Sequence, residues 1–308
     1  MHEVLKYPDF VNILKEAYAG SYTMPPRKVF LLEEGSHDAF ALLPSWNDNV
    51  IGVKSFTYFP HNEDPYKSLY SKILLFDRKH GEPLALVDGI SVTFFRTAGV
   101  SALASQFLSR EDSETLLLLG TGNLARFLIR AHASVRPLKN ILLWGRTKAN
   151  AEAVVADMQK ELPDIEFVVA DDIQTACGQA DIVVAATGSP DILVQGDWIK
   201  EGTHTDFLGN HHADKRECDT ALVVKSKVYL DTYVNCFNEA GEVLVPIEEG
   251  VLKKEDVKGE LAELCMAKVK GRESDSEITL FKSVGSALSD LVGANHAFQS
   301  LSKSQKAS

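Results

Sequence analysis

The sequence predicts an α/β chain in which an antiparallel-rich part is followed by a doubly wound parallel sheet. Three observations predict it. Residues 115–125, Thr-Leu-Leu-Leu-Leu-Gly-Thr-Gly-Asn-Leu-Ala, run an apolar strand into Gly120-x-Gly122-x-x-Ala125, and an amphipathic stretch (Leu124, Phe127, Leu128, Ala131) follows at helical spacing. From residue 115 onward strand-like and helix-like segments alternate, the pattern of parallel strands with helical crossovers. Residues 25–88 read instead as short strands broken by turns, an antiparallel-rich sheet flanked by helical segments.

Each element follows from its pattern. Residues 2–20 place Val4, Leu5, Phe10, Val11, Leu14 and Ala17 on a helical period. Strands are expected at 28–32, 39–43, 50–57, 71–76 and 84–88, punctuated by Glu33-Glu34-Gly35 and Lys79-His80-Gly81-Glu82-Pro83. A helix over 91–108 carries the small residues Ala98, Ala102 and Ala104 on one side. Strands at 115–119, 140–144, 165–170, 181–186, 204–208 and 227–231 would build the parallel sheet, and the polar tail beyond Ser300 reads as frayed.

Composition excludes several classes. The 308 residues, 45% hydrophobic and 24% charged, suffice for a substantial core in two domains. A net charge of −11, without basic residues interleaved with aromatics, argues against nucleic acid or an anionic membrane surface as partner. No apolar run approaches the ~20 residues of a membrane-spanning helix, and Glu3, Asp9 and Glu16 are unlike a signal or transit peptide. Cys177, Cys218, Cys236 and Cys265 are far apart and form no CxxC pair, so reduced thiols in a cytoplasmic protein are expected. The nine histidines show no HExxH-like spacing, and no metal site is expected.

The glycine turn carries the chemistry. Gly120 allows the tight turn, Gly122 lets the backbone approach a pyrophosphate, and Ala125 keeps helix and strand close. Thr121, Asn123 and Leu124 complete the loop, and the helix N-terminus offers unpaired N–H groups to phosphates. The next strand ends in Trp144-Gly145-Arg146-Thr147. No carboxylate lies between Leu138 and Asn150, where a cofactor lacking a 2′-phosphate would want an Asp or Glu on its ribose. Arg146, Thr147 and Lys148 instead supply a guanidinium, a hydroxyl and an ammonium, groups suited to a dianionic phosphate. NADPH is the expected cofactor, with NADH the weaker alternative.

Five blocks together resemble the ornithine cyclodeaminase/mu-crystallin family. They are Asp88-x-x-x-x-Thr93-x-x-Arg96-Thr97-Ala98-x-Val100-Ser101-Ala102-Leu103-Ala104, the glycine turn, Trp144-Gly145-Arg146-Thr147, Gly202-Thr203-His204 ending in Leu208-Gly209, and Thr279-Leu-Phe-Lys-Ser-Val-Gly285. The match covers nearly the whole chain in order. The resemblance implies a homodimer whose substrate-binding and dimerisation domain is 1–113 plus 286–308, with a Rossmann-type NADP-binding domain at 114–285. Family members act on an imine or amine at the α-carbon of an amino acid. Some are cyclodeaminases, some alanine dehydrogenases, some reduce cyclic ketimine carboxylates, and one branch binds thyroid hormone.

The resemblance also implies site residues. Arg27, in Pro25-Pro26-Arg27, matches the family's carboxylate-binding arginine, and Lys54, in Gly52-Val53-Lys54, its pocket lysine and the catalytic candidate here. Arg96, expected in the first turn of its helix, would meet an anionic ligand together with the helix dipole. Arg96 and Thr97, with Thr187, Leu208, Val284 and Gly285, extend the candidate cofactor set. The family's cyclodeaminases and alanine dehydrogenases carry an Asp shortly after the glycine that closes the 204–208 strand. Here the run is Leu208-Gly209-Asn210-His211-His212-Ala213-Asp214, with His211 at the Asp position and Asp214 three residues late. A ketimine reductase has less need of that carboxylate, because its substrate is already an imine. His211 either serves the substrate as hydrogen-bond donor or proton relay, or lines the cofactor pocket. Ser68-Leu69-Tyr70-Ser71 is a second departure, where relatives often place His-Gln.

The expected activity is NADPH-dependent reduction of a small cyclic imino acid, Δ1-pyrroline-2-carboxylate and/or Δ1-piperideine-2-carboxylate, to L-proline or L-pipecolate. The alternatives are an ornithine cyclodeaminase and a non-catalytic NADPH-dependent small-molecule binding protein.

Overall fold

The computed structural model describes residues 5–307, with side chains through residue 302; Val4 of the expected first helix lies outside them. Two compact units result, residues 1–99 with 286–308 and residues 100–285.

In the first unit, helix α1 (Tyr7–Ala19) buries Phe10, Val11 and Leu14, the spacing that predicted it. Strands β1 (Tyr22–Thr23), β2 (Lys28–Leu31), β3 (Ala39–Asn47), β4 (Val50–Tyr58), β5 (Leu69–Asp77) and β6 (Pro83–Asp88) follow, all paired antiparallel. Their order is β1-β3-β4-β5-β6, with β2 also on β3. Period-two alternation turns Val50, Gly52 and Lys54 to the buried face of β4. Helix α2 (Gly89–Leu108) begins here; its continuation and the second unit come next in the chain. A Cβ on Gly52 would lie 2.6 Å from Leu291 Cδ1, so the missing side chain lets the C-terminal helix settle against β4.

Helix α2 starts earlier than the expected residue 91. The Asp88 carboxylate accepts from the Ser91 N–H at 2.9 Å, an N-cap arrangement that opens the helix at Gly89. Its residues 100–108 belong to the second unit, so the first boundary falls inside α2 rather than at 113/114. The anchoring explains this placement: Ser101 is bonded to side chains of the second unit, described below.

The second unit continues with β7 (Thr115–Leu119), α3 (Ala125–Ala133), β8 (Asn140–Trp144), α4 (Lys148–Glu161), β9 (Glu166–Val169), α5 (Ile173–Gln179), β10 (Ile182–Ala185) and β11 (His204–Phe207). Then come α6 (Thr220–Lys225), β12 (Lys227–Leu230), α7 (Tyr233–Glu239), α8 (Gly241–Glu248), β13 (Gly259–Glu260), α9 (Leu261–Cys265) and β14 (Thr279–Lys282). Helix α10 (Ala287–Ala307) closes the chain and returns to the first unit. All eight strands of the second sheet are parallel, in the order β13-β12-β14-β11-β10-β7-β8-β9. Leu116–Leu119 and Ile182–Ala185 are wholly buried, as strands covered on both faces must be.

Two expectations need correction. Strand β14 enters the middle of the sheet, between β11 and β12, where the pattern ended the strands at 227–231. Its apolar core is only Leu280-Phe281, flanked by Thr279 and the buried Lys282, too short and too polar to register as a strand. The chain beyond Ser300 is helical to Ala307 rather than frayed, in keeping with the good helix formers Lys303, Gln305, Lys306 and Ala307.

A buried side-chain bridge ties α2, α3 and β11 together. Ser101 Oγ donates to Asp206 Oδ2 at 2.5 Å, and His132 Nε2 lies 2.8 Å from the same hydroxyl. All three residues are fully buried, which makes the trio a cross-link rather than a nucleophile. Burial raises the Asp206 carboxyl to about 7 and lowers His132 to about 3. The folded protein therefore holds the Asp206 proton that the unfolded chain releases above its ordinary value. Stability from this group is full below about pH 4 and is lost as pH rises toward 7, by up to about 4 kcal/mol. Asp206→Asn should remove that dependence: between pH 5 and 8 the melting temperature of the variant should fall less than that of the parent, as read by circular dichroism.

Candidate active site

The first unit gathers cations around one carboxylate. Lys54 Nζ donates to Thr93 Oγ1 at 2.7 Å and to Asp290 Oδ1 at 3.2 Å, and Arg96 Nε donates to the same Asp290 oxygen at 2.9 Å. Lys54 and Arg96 are 7% exposed and Asp290 1%, so these are buried ions needing partners. Arg27, half-buried just ahead of β2, adds its charge to the field on Lys54. Burial pushes the Lys54 ammonium down from its ordinary value, Asp290 pulls it back up, and Arg96 and Arg27 push it down again, leaving it lowered. An ammonium so placed yields a proton more readily than a solvated lysine.

Arg96 is not in the first turn of its helix. Because α2 opens at Gly89, Arg96 sits two turns in, beyond the reach of the helix terminus, and Asp290 rather than the dipole governs its charge. Asp290 escaped the sequence reading. Its one signal is a lone carboxylate in the apolar run Ala287-Leu288-Ser289-Asp290-Leu291-Val292. A separate cavity of the first unit, about 410 Å³ and lined by Glu16, Asp48 and His296 among others, lacks Lys and Arg and offers nothing comparable to a carboxylate ligand.

The second unit supplies a crevice at the carboxyl ends of its strands. The sheet order reverses between β7 and β10, the switch point at which open α/β sheets bind ligands. A cavity of about 310 Å³ opens there, lined by Gly120, Thr121 and Gly122 after β7, Gly145 and Arg146 after β8, and Thr187 after β10. Gly120 has φ +118°, and a Cβ on it would lie 2.6 Å from the Ala186 carbonyl, so only glycine fits. Around Gly122 nothing lies within 4 Å of where a Cβ would stand, which leaves room for a pyrophosphate at the N-terminus of α3. Arg146 is exposed and makes no ion pair among the described residues, whereas Lys148 pairs with Asp171 at 2.8 Å. Thr147 is exposed beside it. The backbone donors, open floor and unpaired cation fit a phosphorylated dinucleotide.

The remaining candidates divide. Asn123, Leu124, Leu208, Val284 and Gly285 lie in the second unit outside the lining of this cavity, and Arg96 and Thr97 lie in the first unit. His211 is an exposed residue of the second unit, its ring stacked on His212 at 4.8 Å, while Lys54, Arg96 and Asp290 are in the first. Sequence reasoning missed two further buried carboxylates beneath the crevice. Glu217 accepts from Thr187 N, Thr187 Oγ1 and Gly209 N at 2.7–2.8 Å. Asp231 accepts from Ser283 Oγ, Val284 N and Gly285 N at 2.7–3.0 Å. Among the described residues no three His, Cys, Asp or Glu side chains come together as metal ligands, and no helix is long and apolar enough to cross a membrane.

A doubly wound sheet with a glycine-floored crevice at its switch point is the arrangement that takes a dinucleotide cofactor. The model of the ornithine cyclodeaminase/mu-crystallin family matches residues 5–305, and the chain belongs to that family. The Delta(1)-pyrroline-2-carboxylate reductase of Colwellia psychrerythraea is 46% identical over 306 residues, 98% of this chain and 97% of the relative. The Delta(1)-pyrroline-2-carboxylate reductase of Thermococcus litoralis, solved in complex with NADH and L-proline, superposes with a TM-score of 0.92 at 32% identity, covering 99% of this chain and 96% of that one. An archaeal alanine dehydrogenase dimer with bound NAD gives a TM-score of 0.90 at 26% identity over 98% of this chain and 94% of its own.

Asp290 is the one carboxylate among the main influences on Lys54, so Asp290→Asn should lower the Lys54 titration further. NMR of lysine-labelled protein should show its ammonium losing its proton at a lower pH than in the parent. An unchanged or raised midpoint would mean that burial alone sets the value.

Proposed function

We propose that this protein is an NADPH-dependent reductase of cyclic imino acids, converting Δ1-pyrroline-2-carboxylate, and with it Δ1-piperideine-2-carboxylate, to L-proline and L-pipecolate. The observation that carries the reading is in the first unit, where two buried cations, Lys54 and Arg96, share a single oxygen of one carboxylate, Asp290, within the field of Arg27. A buried excess of positive charge calls for an anionic ligand. A planar carboxylate suits paired guanidinium groups, which orient as well as attract it. The names of the relatives and neighbours above support the same substrate class.

When bound, NADPH supplies the hydride. Arg27 and Arg96 would hold the substrate carboxylate and so fix which face of the C=N bond is presented. Lys54, its pKa lowered by burial and by two neighbouring cations, would hold the proton destined for the ring nitrogen. Gly120, Thr121, Gly122, Gly145, Arg146, Thr147 and Thr187 would hold the cofactor, with Arg146 on the 2′-phosphate. His211, exposed and stacked on His212, would serve the substrate as hydrogen-bond donor or proton relay, or line the cofactor pocket. A homodimer accords with β2, whose Val29, Phe30 and Leu31 are exposed on a single chain, and with the dimeric neighbour. Cysteines kept as reduced thiols fit a reducing, cytoplasmic setting.

The direct test is incubation with NADPH and each cyclic imine, followed at the reduced-nicotinamide absorbance. Turnover of imines, with no comparable release of ammonia from ornithine, is expected; efficient cyclisation of ornithine would replace this reading by the cyclodeaminase one. Arg146→Ala should cost NADPH about 1.5–3 kcal/mol of binding, the scale of a charge-assisted hydrogen bond, and barely alter NADH. Equal losses for both cofactors would remove the 2′-phosphate assignment.

Arg96→Met keeps side-chain length and helix propensity while deleting the charge. For carboxylated imines kcat/KM should fall about 10²-fold or more, equivalent to ~3 kcal/mol of lost orientation. The slow turnover of imines without a carboxylate should change far less, by no more than the effect of the lost Arg96 charge on Lys54. A parallel loss on both substrates would place Arg96 outside the substrate site.

A further inference from the structure

Glu217 lies on the segment between β11 and α6, and nothing in the reaction requires its charge. It is fully buried, yet it accepts three hydrogen bonds: one oxygen from the Thr187 N–H at 2.8 Å and Thr187 Oγ1 at 2.7 Å, the other from the Gly209 N–H at 2.7 Å. These donors belong to the two loops that leave β10 and β11. The loops are pressed together, since a Cβ on Gly209 would collide with the Thr187 backbone and with Glu217 Oε1.

The carboxylate is itself fastened from behind. The Glu217 N–H donates to Glu242 Oε1 at 3.0 Å, and Glu242 Oε2 pairs with Lys282 at 2.8 Å, both residues fully buried. Lys282, the last residue of β14, donates onward to the Asn210 carbonyl at 2.6 Å. The circuit thus returns to the loop after β11, and the ends of β10, β11 and β14 are tied by one chain of charge-assisted bonds. Leaving any member without its partner would strand a charge in the interior.

Position within the crevice gives the circuit a function. The glycine turn after β7 takes the pyrophosphate, and Arg146 after β8 lies on the adenosine side of the switch point. The ends of β10, β11 and β14 lie on the opposite side of β7, the half left for the nicotinamide. From this juxtaposition we propose that Glu217 is a positioning residue that fixes the nicotinamide half of the cofactor site by clamping the β10 and β11 loops, without touching the adenosine half. The assignment rests on the dinucleotide reading of the crevice, and it does not depend on which imine is reduced.

Glu217→Gln tests it. An amide has one oxygen, so either the Thr187 donors or the Gly209 N–H would face an NH2 group and lose their acceptor. Binding of NADPH and of 2′-phosphoadenosine 5′-diphosphoribose, the same molecule without nicotinamide, is measured by calorimetry on parent and variant. The expected result is an NADPH Kd raised about tenfold with the fragment's Kd changed less than twofold, together with a larger deuterium isotope effect on imine reduction. Parallel weakening of both ligands would show a merely structural residue, and unchanged NADPH binding would show no role; either overturns the proposal. Hydrogen exchange on the cofactor-free parent is independent of the variant's folding: the Thr187 and Gly209 amides should exchange far more slowly than amides of an exposed loop, and free exchange of both would also overturn it. If the binding selectivity appears but no imine is reduced, the reductase reading fails alone. If imines are reduced and the variant retains the parent's preference for NADPH over the fragment, the clamp fails alone.

Discussion

A single carboxylate oxygen, Oδ1 of Asp290, receives both Arg96 and Lys54, and the first unit is organised so that it can. Helix α10 must lie close against β4, which the side-chain-free Gly52 permits by admitting Leu291. Lys54 must face the same side as Gly52, which the period of two ensures. Helix α2 must bring Arg96 and Thr93 to the same place, and its early start at Gly89, fixed by the Asp88 cap, sets their phase. Without Asp290 two buried cations would repel each other. With it, one acid is shared between two bases. This incomplete compensation is what a ligand carboxylate can complete.

The two units solve opposite electrostatic problems. The first holds excess positive charge in place by one carboxylate. The second buries Glu217, Asp231 and Glu242 around backbone N–H groups and a single lysine, Lys282. The anionic scaffold of the second unit is not an anion repellent, because its charges are spent on internal donors below the strand ends. The crevice itself is lined by the glycine turn, by neutral residues such as Trp144 and Thr187, and by Arg146, with no acid among them. A chain of net charge −11 can therefore hold two negatively charged small molecules, provided that each meets local cations or N–H groups and that the acids are committed elsewhere.

Legibility followed sequence distance. The β7–turn–α3 unit, strands β2–β6 of the first sheet and the end of β8 could be read because each is encoded within about a dozen consecutive residues: a run of leucines, a glycine pair, an alternating strand. Arg27, Lys54 and Arg96 became visible only through the resemblance, since isolated cations on strands or helices look solvated. Asp290 and Glu217 were not legible at all. Each is one acid in an ordinary local context, and its meaning comes from partners 194 and 30 residues away in the chain. Strand β14 was hidden for a related reason: Lys282 looks like a surface residue until Glu242 neutralises it in the core. The start of α2 was misplaced because Asp88 was read as the end of a strand, when it also caps the helix.

The family resemblance puts an acid after Gly209 in members that act on amines, and this chain has His211 there. A carboxylate beside the reacting nitrogen is useful where an amine must lose a proton to be oxidised, and much less so where a protonated imine accepts hydride. In this chain the loop after β11 carries His211 at that place, exposed and stacked on its neighbour. The loop is nevertheless held firmly, because Glu217 and Lys282 fix Gly209 and Asn210 through their backbone atoms. These two anchors act on backbone atoms, so neither depends on which side chain stands at position 211. Anchoring a loop through its backbone separates the geometry that every hydride transfer requires from the side-chain chemistry that distinguishes an amine from an imine.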